Sequence, residues 1–366
     1  MLTQADIVPY LLHRKLVSVE SVVEGDLTVI NASRRNHNFG ILREHNQSYL
    51  LKQGIDPERN ETIANEAGVY QFLHSDKGRN GLNRYLPRYC GYDAAEHVLV
   101  LEFLSDAQDL GEYHARHRRF STRIAASMGD ALSLLHRKRW GNGVNDGQVF
   151  THPPPWVLSI HRPDLGILHD ISGANIQVIK IVQQYSEFCD LLDDLRQDWR
   201  AEAFIHFDIK WDNCLVSSRS AAGRKTRLTI IDWELAGAGD PSWDVGSVFA
   251  AYLSFWLLSI PVTGETPPDR FLQLARFPLE RMQPALRSFW QSYVRRMGLD
   301  AITADERLLK AVKYGAARLA QASYEQMQTA TQLIGNVVCS LQLSLNILRK
   351  PKDAVVHLLG LPLSSI

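Results

Sequence analysis

Phe204-Ile205-His206-Phe207-Asp208-Ile209-Lys210-Trp211-Asp212-Asn213-Cys214-Leu215-Val216 is the stretch whose reading decides the fold. It sets a carboxylate, an ammonium and a carboxamide a few positions apart between two apolar flanks. A second piece follows: Leu228-Thr229-Ile230-Ile231-Asp232-Trp233-Glu234. Cys214–Ser217 and Leu228–Ile231 read as short strands, and the small, polar, basic run Ser218–Lys225 between them reads as a turn. If the two strands pair antiparallel, the start of one lies beside the end of the other, which brings Asn213 next to Asp232. A carboxylate beside an amide oxygen, with the Asp208 carboxylate just upstream, is a hard-oxygen site of the kind Mg²⁺ accepts.

The pattern His206-x-Asp208-x-Lys210-x-x-Asn213 followed by Ile231-Asp232-Trp233-Glu234 resembles the catalytic core of aminoglycoside phosphotransferase-like and choline kinase-like enzymes, relatives of the protein kinases. Asp-Trp-Glu stands where protein kinases carry Asp-Phe-Gly, which favours the small-molecule branch. Gly239-Asp240-Pro241-x-Trp243-Asp244 continues that branch's pattern. The resemblance implies an α+β, bilobal protein kinase-like fold, with a small antiparallel-sheet N-lobe in residues 1–102 and a large, mostly helical C-lobe in residues 103–366. It implies ATP, with GTP as a further nucleotide candidate, and Mg²⁺. Asp208 is then the base that orients the acceptor hydroxyl, Lys210 a cation for the γ-phosphate, and Asn213 and Asp232 the metal ligands. Asp240 and Asp244 read equally as structural acceptors for backbone N–H groups.

Ahead of this core, Ala5–Leu16 reads as a short helix capped by Thr3, and Asp26–Asn31, Phe39–Arg43 and Ser48–Lys52 as three antiparallel strands. The turn Ser33–Asn38 occupies the place of the family's nucleotide-covering loop but has no glycine cluster, so backbone N–H groups approach phosphates less freely. Arg34 and Arg35 are the candidates for phosphate contact there, against a reading as two solvated arginines on a hairpin tip. Lys52, ending the third strand, is by resemblance the lysine that grips the α- and β-phosphates. Asp56-Pro57 opens a helix through Leu73. Glu66 lies on its apolar stripe with Ile63 and Tyr70, and a buried carboxylate needs a cation, for which Lys52 is the obvious partner.

His97–Leu104 reads as an apolar strand running into Ser105-Asp106-Ala107-Gln108, a capping-box pattern that predicts a helix start. By resemblance this join is the hinge, with the lobe boundary at Glu102–Ser105 and main-chain contacts to adenine around Glu102. Arg123–Arg137 reads as an amphipathic helix and Asn175–Trp199 as one long helix. The outward acids of the latter (Glu187, Asp190, Asp193, Asp194, Asp198) read either as an attractor for a cationic substrate or as a solvated face. Ser242–Leu258 reads as a buried helix. Thr303-Ala304-Asp305-Glu306 predicts a helix start, and Gln332–Leu348 a last long helix.

Formal net charge is zero over 366 residues, so no global field argues for nucleic acid or membrane binding. The scattered cysteines Cys90, Cys189, Cys214 and Cys339 read as buried thiols of a reducing compartment. The first residues lack a signal-peptide pattern and no apolar run of about twenty residues occurs, so a cytoplasmic protein is expected. The expected activity is transfer of a γ-phosphate to a hydroxyl of a small molecule such as an amino sugar or amino alcohol. Two other readings stand: a Ser/Thr kinase of a precursor peptide working with a lyase partner in lanthipeptide- or thioamitide-type dehydration, and a catalytically inactive pseudokinase scaffold.

Overall fold

In a computed structural model of the chain, the residues described are 1–32, 37–44, 46–75, 81–138, 150, 152–164, 171–217, 226–261 and 273–364. The chain divides into two units. The first is built from Met1–Asp109 and Asn213–Ala236, the second from the described parts of Leu110–Asn142, Val149–Asp212 and Gly237–Ile366.

The first unit is organised by a five-stranded sheet in the order β1-β2-β3-β5-β4, with every neighbour antiparallel. The strands are β1 Thr28–Asn31, β2 His37–Leu42, β3 Tyr49–Gln53, β4 Tyr89–Asp93 and β5 Val98–Glu102. Alternation sorts the faces. Phe39, Ile41, Leu51, Val98 and Val100 point to one side, where Ile7, Tyr10, Leu11 and Val17 close a buried cluster over them. Fully burying each such aliphatic or aromatic side chain contributes about 1.5–3 kcal/mol. The face closed by this cluster thus belongs to Leu51, with the buried Gln53 also on it, and not to Leu50 and Lys52; β3 runs one residue beyond Lys52. The helix Pro57–His74 packs against β3, β4 and β5. Its cap is as expected, with Asp56 accepting from the Arg59 N–H at 2.8 Å and Pro57 in the first turn. Thr3 caps nothing: it donates to the Asp6 carboxylate, and the first helix is Ile7–His13.

A three-stranded sheet, β6-β8-β9, completes this unit: β6 Ala107–Asp109, β8 Cys214–Ser217 and β9 Arg227–Ile230. Ser105–Gln108 therefore does not start a helix. Ala107, Gln108 and Asp109 pair with Ser217, Val216 and Leu215, and this ladder satisfies the backbone groups that a helical turn would otherwise use. The next helix begins only at Leu110.

The second unit is mostly helical around a short ribbon of β7 (Ala203–Ile205) and β10 (Gly237–Gly239). Helices Thr122–His136 and Gln283–Met297 pack together, as do Pro241–Leu258 and Ala301–Gln326. The latter pair cross at glycines: a Cβ on Gly246 would meet the Ala311 carbonyl and lie 2.7 Å from the Gly315 nitrogen, so neither position has room for a side chain. Asp300, not Thr303, is the N-cap of Ala301–Gln326, and it accepts from the Thr303 N–H at 2.9 Å.

Asn175–Trp199 is two helices, Gly173–Gln184 and Ser186–Gln197, broken where Tyr185 turns extended. A helix rotates about 100° per residue, so Val182 and Phe188 on one helix would sit about 120° apart around its axis. Both are fully buried, and the break restores them to the core. Two of the outward acids are paired: Glu187 accepts from Arg349 at 2.7 Å, and Asp193 meets Arg162 and His161; Asp190, Asp194 and Asp198 are exposed. Of the four cysteines, all unbridged, only Cys214 is buried; the other three are half-buried. Among the described residues no helix is long and apolar enough to cross a membrane.

Candidate active site

In the first unit, β3 and the Pro57–His74 helix bring Lys52 and Glu66 together. Glu66 is fully buried and Lys52 nearly so. Lys52 Nζ lies 2.5 Å from Glu66 Oε2 and 3.1 Å from Asp232 Oδ1. Burial alone would push the ammonium's pKa down; the Glu66 and Asp232 carboxylates outweigh it and hold the group above lysine's ordinary value. Asp232 comes directly after β9 and takes a left-handed backbone, φ +66°. That conformation is uncommon for any residue but glycine and is tolerated best by Asp and Asn. The turn is tied down on both sides: Trp233 Nε1 donates to the Ile230 carbonyl at 3.0 Å, and Asn65 Nδ2 to the Glu234 carbonyl at 2.8 Å.

The antiparallel pairing expected of β8 and β9 is present, with Cys214 opposite Ile230. One step further the Ile231 N–H donates to the Asn213 carbonyl at 3.0 Å, so Asn213 and Asp232 lie at one end of one ladder. A carboxamide and a carboxylate offer hard oxygens. Among the described residues no three His, Cys, Asp or Glu side chains form a metal cage. This donor set suits Mg²⁺, which is bound through one or two protein oxygens with substrate phosphates and water supplying the rest.

Glu102 lies farther along the sheet, opposite Tyr49, with its carboxylate accepting from the Arg88 N–H at 3.0 Å. Its own N–H donates to the Arg88 carbonyl and that of Phe103 to the Ser48 carbonyl. Arg34 and Arg35 lie outside the described residues.

In the second unit, β7 delivers the chain into His206-Phe207-Asp208. Phe207 has φ +69°, a costly conformation for a bulky residue, and the surroundings fix it. The fully buried Asp244 accepts from the His206 N–H at 2.8 Å and the Phe207 N–H at 3.0 Å, and Trp243 Nε1 donates to the Phe207 carbonyl at 2.7 Å. Asp240 caps the Pro241–Leu258 helix through the Ser242 N–H and meets Lys310 Nζ at 2.6 Å. Both acids of the Gly239–Asp244 motif are thus acceptors that hold backbone in place.

Asp208, carried on that fixed loop, meets two cations. Lys210 Nζ lies 2.6 Å from Oδ2 and Arg318 Nη2 2.5 Å from Oδ1. Burial pushes this carboxyl up, but Arg318 and then Lys210 more than offset it, and its pKa falls below the ordinary Asp value. Arg318 comes from the Ala301–Gln326 helix and was not singled out by motif. Its signal in the sequence is a lone charge inside Tyr314-Gly315-Ala316-Ala317-Arg318-Leu319-Ala320, a run buried throughout, where a guanidinium requires a partner.

A family model described as APH, phosphotransferase enzyme family, matches residues 26–284. Several solved structures share the fold. A choline kinase from Cryptosporidium parvum Iowa II is 12% identical at a TM-score of 0.55, over 98% of this chain and 99% of that one. Macrolide 2'-phosphotransferase type I is 15% identical at 0.51, over 95% of this chain and 98% of that one. The ADP-bound aminoglycoside phosphotransferase APH(2'')-Ib is 13% identical at 0.50, over 94% and 99%. No curated protein matches the sequence.

Proposed function

The chain belongs to the APH phosphotransferase enzyme family, and from that premise we propose that it moves the γ-phosphate of ATP to a hydroxyl of a small molecule such as an amino sugar or amino alcohol. Residues 1–102 supply the nucleotide-binding sheet and helix, and residues 103–366 the catalytic loop and the acceptor region. Lys52, aligned by Glu66, grips the α- and β-phosphates. Arg34 and Arg35 add phosphate contacts, and the main chain at Glu102 meets the base. Asn213 and Asp232 would hold Mg²⁺, which when bound neutralises charge on the phosphates. Asp208 accepts a hydrogen bond from the acceptor hydroxyl and aims its oxygen at the γ-phosphorus. Lys210 compensates charge on the moving group.

The observation that carries this reading is Lys52 Nζ set between Glu66 and Asp232, residues 14 and 180 positions away in the chain. A salt bridge kept only for stability gains little from burying three charges; a phosphate grip needs them. The state of Asp208 fits the same chemistry. A carboxylate whose pKa is depressed is a poor proton store, and phosphoryl transfer asks for positioning and charge compensation more than for strong base catalysis.

The test is Asp208→Ala, assayed with Mg·ATP against a panel of amino sugars and amino alcohols. Turnover should drop by about 10²–10⁴, the range for a positioned acid–base group, with nucleotide affinity kept. Full activity in the variant sinks the assignment. Turnover only with a precursor peptide and a lyase partner would replace the small-molecule acceptor.

A further inference from the structure

The last turns of the Ala301–Gln326 helix hold a residue that the family pattern around Asp208 does not name. Arg318 is 4% exposed. Its guanidinium spans two carboxylates: Nη2 reaches Asp208 Oδ1 at 2.5 Å and Nη1 reaches Glu325 Oε1 at 3.0 Å. Gln321 Nε2 donates to that same Glu325 oxygen at 2.8 Å, so the far anchor is itself held. The helix has little freedom to shift, since it crosses Pro241–Leu258 at the closest approach that two glycines permit. Lys210 differs in kind. It touches the other oxygen of Asp208, but its side chain is 38% exposed against 5% for Arg318. An ammonium on a four-carbon stem rotates away easily; a planar fork pinned at both ends does not.

We propose that Arg318 is a positioning residue, the permanent partner that fixes the orientation and charge of Asp208 so that Lys210 is released to the phosphoryl group during transfer. This rests on the catalytic reading of Asp208. A carboxylate left alone in a largely buried place carries a desolvation cost of several kcal/mol, so Lys210 is released only if a second cation stays. Arg318 meets that need: it does not lose its proton in proteins, and Glu325 balances its own charge. Among the described residues, the ionisable groups that act most on Asp208 include Arg318, Lys210 and His206, and Glu325 stands behind the guanidinium.

The experiment follows the ¹³C carboxyl signal of Asp208 through a pH titration of the full chain, assigned by its loss in Asp208→Asn. Calorimetry with Mg·ADP serves as the control for folding. In Arg318→Gln the midpoint should rise by about one unit or more, the usual effect of losing an adjacent arginine, with Mg·ADP affinity unchanged. Arg318→Lys should bring the midpoint back down. An unmoved midpoint in Arg318→Gln overturns the proposal. Should that variant not fold, Lys210→Met decides. If Arg318 is the permanent partner, Asp208 still titrates below its ordinary value; a return to that value overturns the proposal. The titration reads the Asp208–Arg318 pair without turnover. Its failure therefore removes the positioning role alone, whereas full activity of Asp208→Ala removes the catalytic reading beneath it.

Discussion

Lys52 and Asp208 are mirror images in charge. Around Lys52 one cation faces two carboxylates, Glu66 and Asp232. Around Asp208 one carboxylate faces two cations, Lys210 and Arg318. On the proposed function the first centre, one ammonium against two carboxylates, would be completed by a divalent ion held at Asn213 and Asp232. The second sets two cations on one carboxylate, and on the proposed function Lys210 would turn to the incoming phosphoryl group. A phosphotransferase needs both conditions, a place that gathers a metal-bound triphosphate and a place that gives up a positive charge as the phosphoryl group moves. Each centre also keeps one unusual backbone angle, at Asp232 and at Phe207, and spends hydrogen bonds from neighbouring elements to hold it.

The largest effect that would break this comparison lies at the first centre. Asp232→Ala removes the proposed metal ligand and also the second carboxylate beside Lys52. Mg²⁺-dependent nucleotide binding should vanish in a calorimetric titration, and wild-type nucleotide affinity measured with a chelator in place of Mg²⁺ should fall to the same level. Unchanged affinity in the variant would refute the ligand role. Asp208→Ala, by contrast, should leave nucleotide binding alone.

Much of this geometry was legible in the sequence, because the residues sit on short-range patterns. Asp208, Lys210 and Asn213 share one loop. Asp232 joins Asn213 through a hairpin register that alternation alone suggests, and Lys52 and Glu66 are linked by the cost of burying an unpaired carboxylate. Arg318 was not legible in the same way. It is 110 positions from Asp208, and no local pattern says which carboxylate a buried arginine will find. Ser105–Gln108 misled for a related reason: its local preference for a helix start lost to pairing with Ser217–Leu215, a partner remote in sequence. The break at Tyr185 did leave a local mark, since the apolar phase slips between Val182 and Phe188.

A smaller effect sharpens the comparison through pH. Lys52 has a folded pKa above lysine's ordinary 10.5. Its contribution to stability is complete below that value and is lost as pH rises through the higher folded one. Asp208 has a folded pKa below the ordinary 3.8. Its contribution is complete above 3.8 and is lost as pH falls through the lower folded value. The two centres therefore weaken the fold at opposite ends of the scale. In thermal melts taken across pH, Lys52→Met should flatten the alkaline limb. With the ammonium that opposes burial at Glu66 gone, it should also push that carboxyl further up and lower stability at neutral pH relative to acid. Asp208→Asn should flatten the acid limb alone. Curves parallel to wild type at both ends would mean that neither pair is formed in solution.

The smallest effect separates the helices on which the two supporting residues ride. Asp56 caps the helix that carries Glu66, and Asp300 caps the helix that carries Arg318. Each carboxylate accepts one first-turn N–H, and replacing such a cap with Ala costs about 1 kcal/mol at a typical site such as Asp56. Asp300 is exposed, and its loss should lower the melting temperature less. The more telling difference is distance. Glu66 sits ten positions after its cap, inside an 18-residue helix, whereas Arg318 sits eighteen positions after its own, inside a 26-residue helix locked at Gly315 against Gly246. Fraying spreads only about a turn or two from an uncapped end. Asp56→Ala should thus raise amide hydrogen exchange up to the turn before Glu66 and slightly weaken Mg·nucleotide binding. Asp300→Ala should leave exchange at Arg318 and the titration of Asp208 where they were. If Asp300→Ala moved the Asp208 midpoint, the helix would be transmitting its end to the site, and the rigidity assigned to the second centre would be wrong.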